Sequence, residues 1–174
     1  TKALVLSNHP HEQRGLLREA LAIALEHDLV TSSLRAYNNL AIALNVTGRD
    51  EEADRLTIEA LELARSRGNV NYTAWFAGGR AITLYLEGAW DEAVALADEL
   101  LPDGPAAQGN PALASCVLAE LALDRGDRER AERYLARVAP GMEASSADQQ
   151  QQAILNYRER LRAQAEGRID DMLD

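Results

Sequence analysis

Residues 36–64 read AYNNLAIALNVTGRDEEADRLTIEALELA, and the rest of the chain repeats their punctuation. Apolar residues recur at helical spacing on both sides of Gly48, which predicts two amphipathic helices joined by a tight turn at that glycine. Asp50, Glu51 and Glu52 follow at once. They complement the positive end of the second helix's dipole, each by roughly a few tenths of a kcal/mol. Ala53 lets the two helices approach closely. One such hairpin cannot bury its own apolar face, so hairpins of this kind must stack.

The device returns at Gly88-Ala89-Trp90-Asp91-Glu92-Ala93 and at Gly126-Asp127-Arg128-Glu129-Arg130-Ala131, and in degenerate form at Gly167-Arg168-Ile169-Asp170-Asp171-Met172. Successive glycines lie 40, 38 and 41 residues apart. Counting 40 back from Gly48 reaches Asn8, which also tolerates a left-handed helix end. The chain therefore reads as a single array over 1–174, with units at approximately 1–29, 31–67, 71–101, 111–139 and 147–174.

Residues 1–7 read as the tail of a first helix, and further helices are predicted at about 11–28, 31–46, 50–66, 72–87, 91–101, 112–125, 128–138 and 147–166. Leu16, Leu17, Ala20, Ile23, Ala24 and Leu25 are spaced for one buried face. Thr31 or Ser32 is placed to cap the next helix. Pro102 to Pro111 reads as a loop, and Pro140-Gly141 as a stop. The chain opens without methionine or a helix start signal, and Arg168–Asp174 read as the first turns of another helix. The expectation is a piece of a longer chain.

Composition agrees. Apolar residues make up 47% and aromatics 5%, with alanine and leucine dominant, which predicts an all-α protein. The formal net charge of −10 argues against nucleic acid, whose binders carry a basic footprint. The cluster Arg125, Arg128, Arg130, Arg133 and Arg137 is interleaved with acids and reads as a solvated helix face. An acidic surface prefers neutral or basic partners, or simply keeps an alanine- and leucine-rich array soluble. The lone Cys116 excludes an internal disulfide framework and sits in an apolar run as a packing residue. No signal-peptide pattern or long apolar run appears, so the default is a soluble cytoplasmic protein without a membrane role. Arginine supplies every basic residue except Lys2, and with abundant alanine and glycine this points to a GC-rich genome.

Asn39-Leu40-Ala41, Ala43-Leu44, Gly48, Glu51-Glu52-Ala53 and Glu59-Ala60-Leu61-Glu62-Leu63 resemble the tetratricopeptide repeat. Residues 74–101 match at Ala81, Leu84, Gly88, Trp90, Asp91-Glu92-Ala93 and Leu101, and depart at Arg80, where leucine is usual. Residues 112–139 match at Leu118-Ala119, Gly126, Ala131 and Tyr134. The helix at 147–166 fits poorly, with Glu159 and Arg160 at small or apolar positions, and reads as a solvating cap. The resemblance implies a right-handed α-α superhelix, a solenoid of antiparallel helix pairs. A period near 40 rather than about 34 implies longer helices. Such long repeats look like the sensor arrays of bacterial LuxR-type regulators and ATPase-containing adenylate cyclases, where catalysis or DNA binding lies elsewhere in the chain.

The resemblance also implies that the first helix of each pair lines a concave groove. The groove-facing offsets hold Arg35, Asn38, Ile42 and Asn45, then Trp75, Gly78, Ile82 and Tyr85, then Leu113, Cys116, Glu120 and Leu123, with Tyr72 one turn before Trp75. Asparagine, tryptophan, tyrosine and arginine anchor peptide interfaces, whereas Trp75, Ile82 and Leu123 suit a core equally well. The candidate binding face is Arg35, Asn38, Ile42, Asn45, Tyr72, Trp75, Arg80, Tyr85 and Glu120. Arg80, near a buried offset, needs a carboxylate or carbonyl, expected from within the chain rather than from a ligand.

Other chemistry is thin. His9-Pro10-His11-Glu12 has one carboxylate and reads as an inter-helix turn, not a metal site. No glycine-rich stretch precedes a Lys-Ser/Thr pair, so no phosphate loop is present. Gly78-Gly79 within a helical pattern costs about 1 kcal/mol per glycine. That pair reads as a close helix crossing, with a bare backbone patch for a partner as the alternative. No catalytic, cofactor or metal residue is assigned. The reading is a non-catalytic protein or peptide interaction module of a larger bacterial signalling or transcription-regulatory protein. The alternative is a small-molecule effector sensor whose ligand reshapes the superhelix, which a deep pocket around Trp75, Arg80 and Tyr85 would favour. Exposed array ends also leave self-association open. The partner, the remaining domains, the oligomeric state and the use of the groove are not legible in the residues.

Overall fold

The turn expected at Gly48 recurs at every short connection. The computed structural model describes residues 9–101, 110–138 and 149–165. The first-helix tail, the Asn8 cap, most of the Pro102–Pro111 loop, the Pro140-Gly141 stop, the Gly167 copy and the Arg168–Asp174 helix start lie outside the described residues. Among the described residues there are eight helices and no strand. They are α1 (Pro10–Glu26), α2 (Val30–Asn45), α3 (Asp50–Ser66), α4 (Val70–Leu86), α5 (Trp90–Leu100), α6 (Asn110–Asp124), α7 (Arg128–Arg137) and α8 (Gln149–Ala165). The protein is an all-α helical repeat.

Asp28, Gly48, Gly68, Gly88 and Gly126 all take positive φ, from 50° at Asp28 to 80° at Gly88. The next residue's amide reaches back five residues: Leu29 to Ala24, Arg49 to Leu44, Asn69 to Ala64, Ala89 to Leu84 and Asp127 to Ala122, at 2.8–3.0 Å. The left-handed residue's own amide reaches back three, as from Gly48 to Asn45. This is the Schellman motif, which satisfies the carbonyls a helix end leaves open. The residue that completes it also starts the next helix. The carbonyls of Leu29, Arg49, Asn69, Ala89 and Asp127 accept from Ser33, Ala53, Thr73, Ala93 and Ala131. Three or four residues thus suffice between helices.

Leu29, not Thr31 or Ser32, is the N-cap of α2, because the turn commits the chain there. The first four left-handed residues, at 28, 48, 68 and 88, are 20 apart. The 40-residue period seen in the glycines is two helices, with the same turn joining pairs as joins partners.

Residues Thr1–Phe76 and Ala77–Asp174 form two compact units, divided within α4. In the first, α2 packs between α1 and α3. Leu34 and Leu44 are fully buried and Leu40 nearly so. Each such leucine contributes about 1.5–3 kcal/mol. Ala53, Ala60 and Ala64 of α3 are buried, so α3 can lie close. On α1 the buried face is Leu17, Leu21 and Ala24 with Arg14. Leu16, Ile23 and Leu25, expected inside, are exposed, as is Ala20. One residue is about 100° of helix rotation, so the face through Leu17 and Leu21 turns Leu16, Ala20 and Ile23 away. Arg14 donates to Thr47 Oγ1 at 3.2 Å and contacts His11 Nδ1 at 2.9 Å. Arg18 pairs with Glu52 at 2.5 Å and its hydrogen bond holds that carboxyl below the usual carboxylate range. Tyr37 donates to Glu59 at 3.2 Å, and burial, then the Glu59 charge, push its phenol up to about 12.

In the second unit α6 packs against α5, α7 and α8, and α7 against α8. Ala112, Ala114, Cys116, Leu118 and Ala119 of α6 are wholly buried, as are Ala93 and Ala131. Pro111, expected in the loop, lies in the first turn of α6, where a missing amide costs no intrahelical bond. Gly78 faces that turn. A Cβ there would sit 2.6 Å from Pro111 N and 2.7 Å from the Asn110 carbonyl carbon. The close-crossing reading of Gly78 therefore holds. Tyr134 donates to Asp98 at 3.1 Å, and Arg137 donates to the Ala97 carbonyl at 3.5 Å, which ties α7 to the end of α5.

Two alanine substitutions should shift stability in opposite directions. Gly78→Ala should cost about 1–3 kcal/mol through overpacking against Pro111 backbone, although alanine is the better helix former. Gly15→Ala, on α1 where an added Cβ meets nothing within 4 Å, should stabilise by roughly 0.5–1 kcal/mol. Urea denaturation followed by circular dichroism measures both, and a stabilised Gly78→Ala would contradict the tight crossing.

Candidate binding face

Arg35, Asn38, Ile42 and Asn45 recur along α2 at helical spacing, on the stripe that α1 and α3 leave uncovered. Arg35, Asn38 and Asn39 of α2 and Asn71, Tyr72 and Trp75 of α4 line a cavity of about 430 Å³ in the first unit. Trp75 Nε1 donates to Asn38 Oδ1 at 2.8 Å, and Asn38 Nδ2 donates to Asn39 Oδ1 at 3.4 Å. The indole thereby sets which way the Asn38 amide points. Tyr72 stacks on Phe76 with centroids 5.9 Å apart, and its amide donates to Asn69 Oδ1 at 3.1 Å. Phe76 is buried, so Tyr72 is held from the core. Arg35 is exposed and has no ion pair among the described residues. Ile42 and Asn45 are exposed further along α2 and do not line the cavity.

Sequence reasoning missed Asn39 and Asn71. Asn71 lies four residues before Trp75, one helical turn, and that spacing was the available signal.

The remaining candidates lie in the second unit. Arg80 pairs with Glu87 at 3.5 Å, an intramolecular carboxylate as expected. Glu120, half-buried on α6, accepts from Tyr157 of α8, and its charge acts on the phenol of Tyr85 of α4. Burial pushes the Tyr85 phenol up, and the charges of Glu120 and Asp124 add to this. Burial and the hydrogen bond to Glu120 drive Tyr157 far up. Tyr157 was missed because its helix reads as a solvating cap. It lies 37 residues after Glu120, the same interval as Asn38 to Trp75, and that repetition was the missed clue.

Gly78 is covered by α6, and Cys116 is fully buried with its thiol pushed up to about 12 by burial, so neither offers a surface. Ile82, Leu113 and Leu123 are half-buried. Among the described residues no group of three His, Cys, Asp or Glu could hold a metal ion, and no helix is long and apolar enough to cross a membrane.

The phenols make a pH test. A folded pKa raised above the unfolded value, near 10 for tyrosine, adds stability that is complete below about pH 10 and is lost as pH rises. Glu120→Gln keeps an acceptor but removes the charge, so phenolate absorbance for Tyr85 and Tyr157 should appear at lower pH than in the parent. Superimposable titration curves would show that Glu120 does not govern them.

No curated protein and no solved structure matches the chain. The tetratricopeptide-repeat family model matches residues 33–66, which span α2, its turn at Gly48 and α3. The hairpin that carries Arg35, Asn38 and Asn39 is a tetratricopeptide repeat.

Proposed function

We propose that the protein is an interaction module that holds an extended peptide segment of a partner protein against the α2–α4 face of its first unit. The observation that carries this is the cavity lined by Arg35, Asn38, Asn39, Asn71, Tyr72 and Trp75. Carboxamides both donate and accept, which suits the alternating groups of a peptide backbone. Tyr72 and Trp75 offer apolar rings with a polar tip, the side chains most often found as interface anchors. Half of the lining residues lie within the segment that matches the tetratricopeptide repeat, a unit that suggests protein interaction. On this reading the module is non-catalytic and serves a larger bacterial signalling or transcription-regulatory protein in the cytoplasm. Ile42 and Asn45, exposed on the same helix, extend the surface along which a segment would lie.

A small-molecule effector is the second reading. The cavity volume of about 430 Å³ suits one. A deep pocket around Trp75, Arg80 and Tyr85 would favour it, and of these three only Trp75 lines this cavity.

Peptides selected by display against the whole chain provide the test. Binding to Asn38→Ala/Trp75→Ala should weaken at least about tenfold, or 1.4 kcal/mol. Binding to Ile58→Ala, altered on the exposed surface of α3, should match the parent. Equal affinity of the parent and the double variant, both folded by circular dichroism, would refute this face as the site.

A further inference from the structure

We infer that Tyr85, Glu120 and Tyr157 form a second recognition site, in the second unit, for the guanidinium of an arginine on a basic partner segment. The same unit contains a completed version of this arrangement. Tyr134 donates to Asp98 at 3.1 Å, while Arg137 lies 3.7 Å from the same Asp98 oxygen and 5.1 Å over the Tyr134 ring. Asp98 precedes Tyr134 by 36 residues, Glu120 precedes Tyr157 by 37, and each tyrosine is followed three residues later by an arginine.

The outcome differs at the second set. Arg160 stacks 5.0 Å over Tyr157 but forms no ion pair with Glu120, and the neutral phenol of Tyr85 lies within reach of the Glu120 charge. Glu120 is thus a half-buried carboxylate with one neutral donor, Tyr157, and no ion-pair partner among the described residues. The third tyrosine–carboxylate pair, Tyr37 with Glu59, does not share this property, since Glu59 is exposed to water.

A carboxylate drawn out of water gains most from a cation. It has roughly four acceptor positions, of which the Tyr157 phenol takes one. A guanidinium suits what remains better than an ammonium, because its planar fork pairs with a carboxylate and stacks on aromatic rings. Asp124, one turn further along α6, is exposed and adds charge of the same sign. The chain's net charge of −10 draws a basic segment toward it. The first-unit cavity holds Arg35 instead, so the two sites differ in preference and this inference stands apart from the peptide reading.

The test titrates the whole chain with N-acetyl-arginine amide, N-acetyl-lysine amide and N-acetyl-glutamine amide, reading tyrosine ring signals by NMR. Arginine should shift Tyr85 and Tyr157 saturably and bind about threefold or more tighter than lysine, with glutamine inert. Glu120→Gln should abolish the arginine response while retaining helix content. Equal responses to arginine and glutamine, shifts that spare both tyrosines, or unchanged binding in Glu120→Gln would each overturn the site. If Glu120→Gln does not fold, the parent's arginine-against-glutamine comparison decides.

Discussion

A single backbone constraint underlies the short connections of this protein: one residue just past the end of α1, α2, α3, α4 and α6 enters left-handed space. That residue lets the next amide close back on the finished helix, and the carbonyl of that same next residue opens the following one. The turn thus closes one helix and opens the next within three or four residues of chain. Short connections force neighbouring helices antiparallel, and antiparallel neighbours bury the alanine faces of α3, α5 and α7. Glycine meets the constraint at four of the five turns. At Asp28 a side chain that tolerates the left-handed region does so, and both Arg67 guanidinium nitrogens donate to its carboxylate.

Helices placed this way carry polar ties between them. Asn38 with Trp75, Glu59 with Tyr37, Asp98 with Tyr134 and Glu120 with Tyr157 each join an aromatic donor to an acceptor on another helix. Each sets a side-chain rotamer as well as a helix distance. At Asn38 the result is an oriented amide in a cavity, and at Glu120 a carboxylate without an ion pair among the described residues. The proposed binding surfaces lie where inter-helix bonding fixes polar groups, on helices rather than on loops.

Much of the fold was legible because its signals are local. Gly48, Gly88 and Gly126 mark three turns, the acids after them mark helix starts, and alanines Ala53, Ala93 and Ala131 mark close contacts. The inter-pair turns carry weaker signals, since Asp28 replaces glycine at one and Gly68 falls between the motif copies, yet the helix ends expected at 28 and 66 placed both. Burial on α1 was misjudged because Leu16 and Leu17 are equally apolar, and only the direction of α2 distinguishes them. Of the candidate face, Arg35, Asn38, Tyr72 and Trp75 come together at one cavity. Tyr85 and Glu120 lie together elsewhere, with Tyr157 as a partner whose 37-residue interval from Glu120 was the clue not taken up.

By itself the sequence determined the helical class, the turn positions and the repeat, because propensity, capping and left-handed residues act within a few positions of chain. Only tertiary structure decided which polar groups pair across helices, because residues 37 apart meet through packing angles that no local rule encodes. It is that pairing which leaves Asn38 with a fixed amide and Glu120 without an ion pair among the described residues.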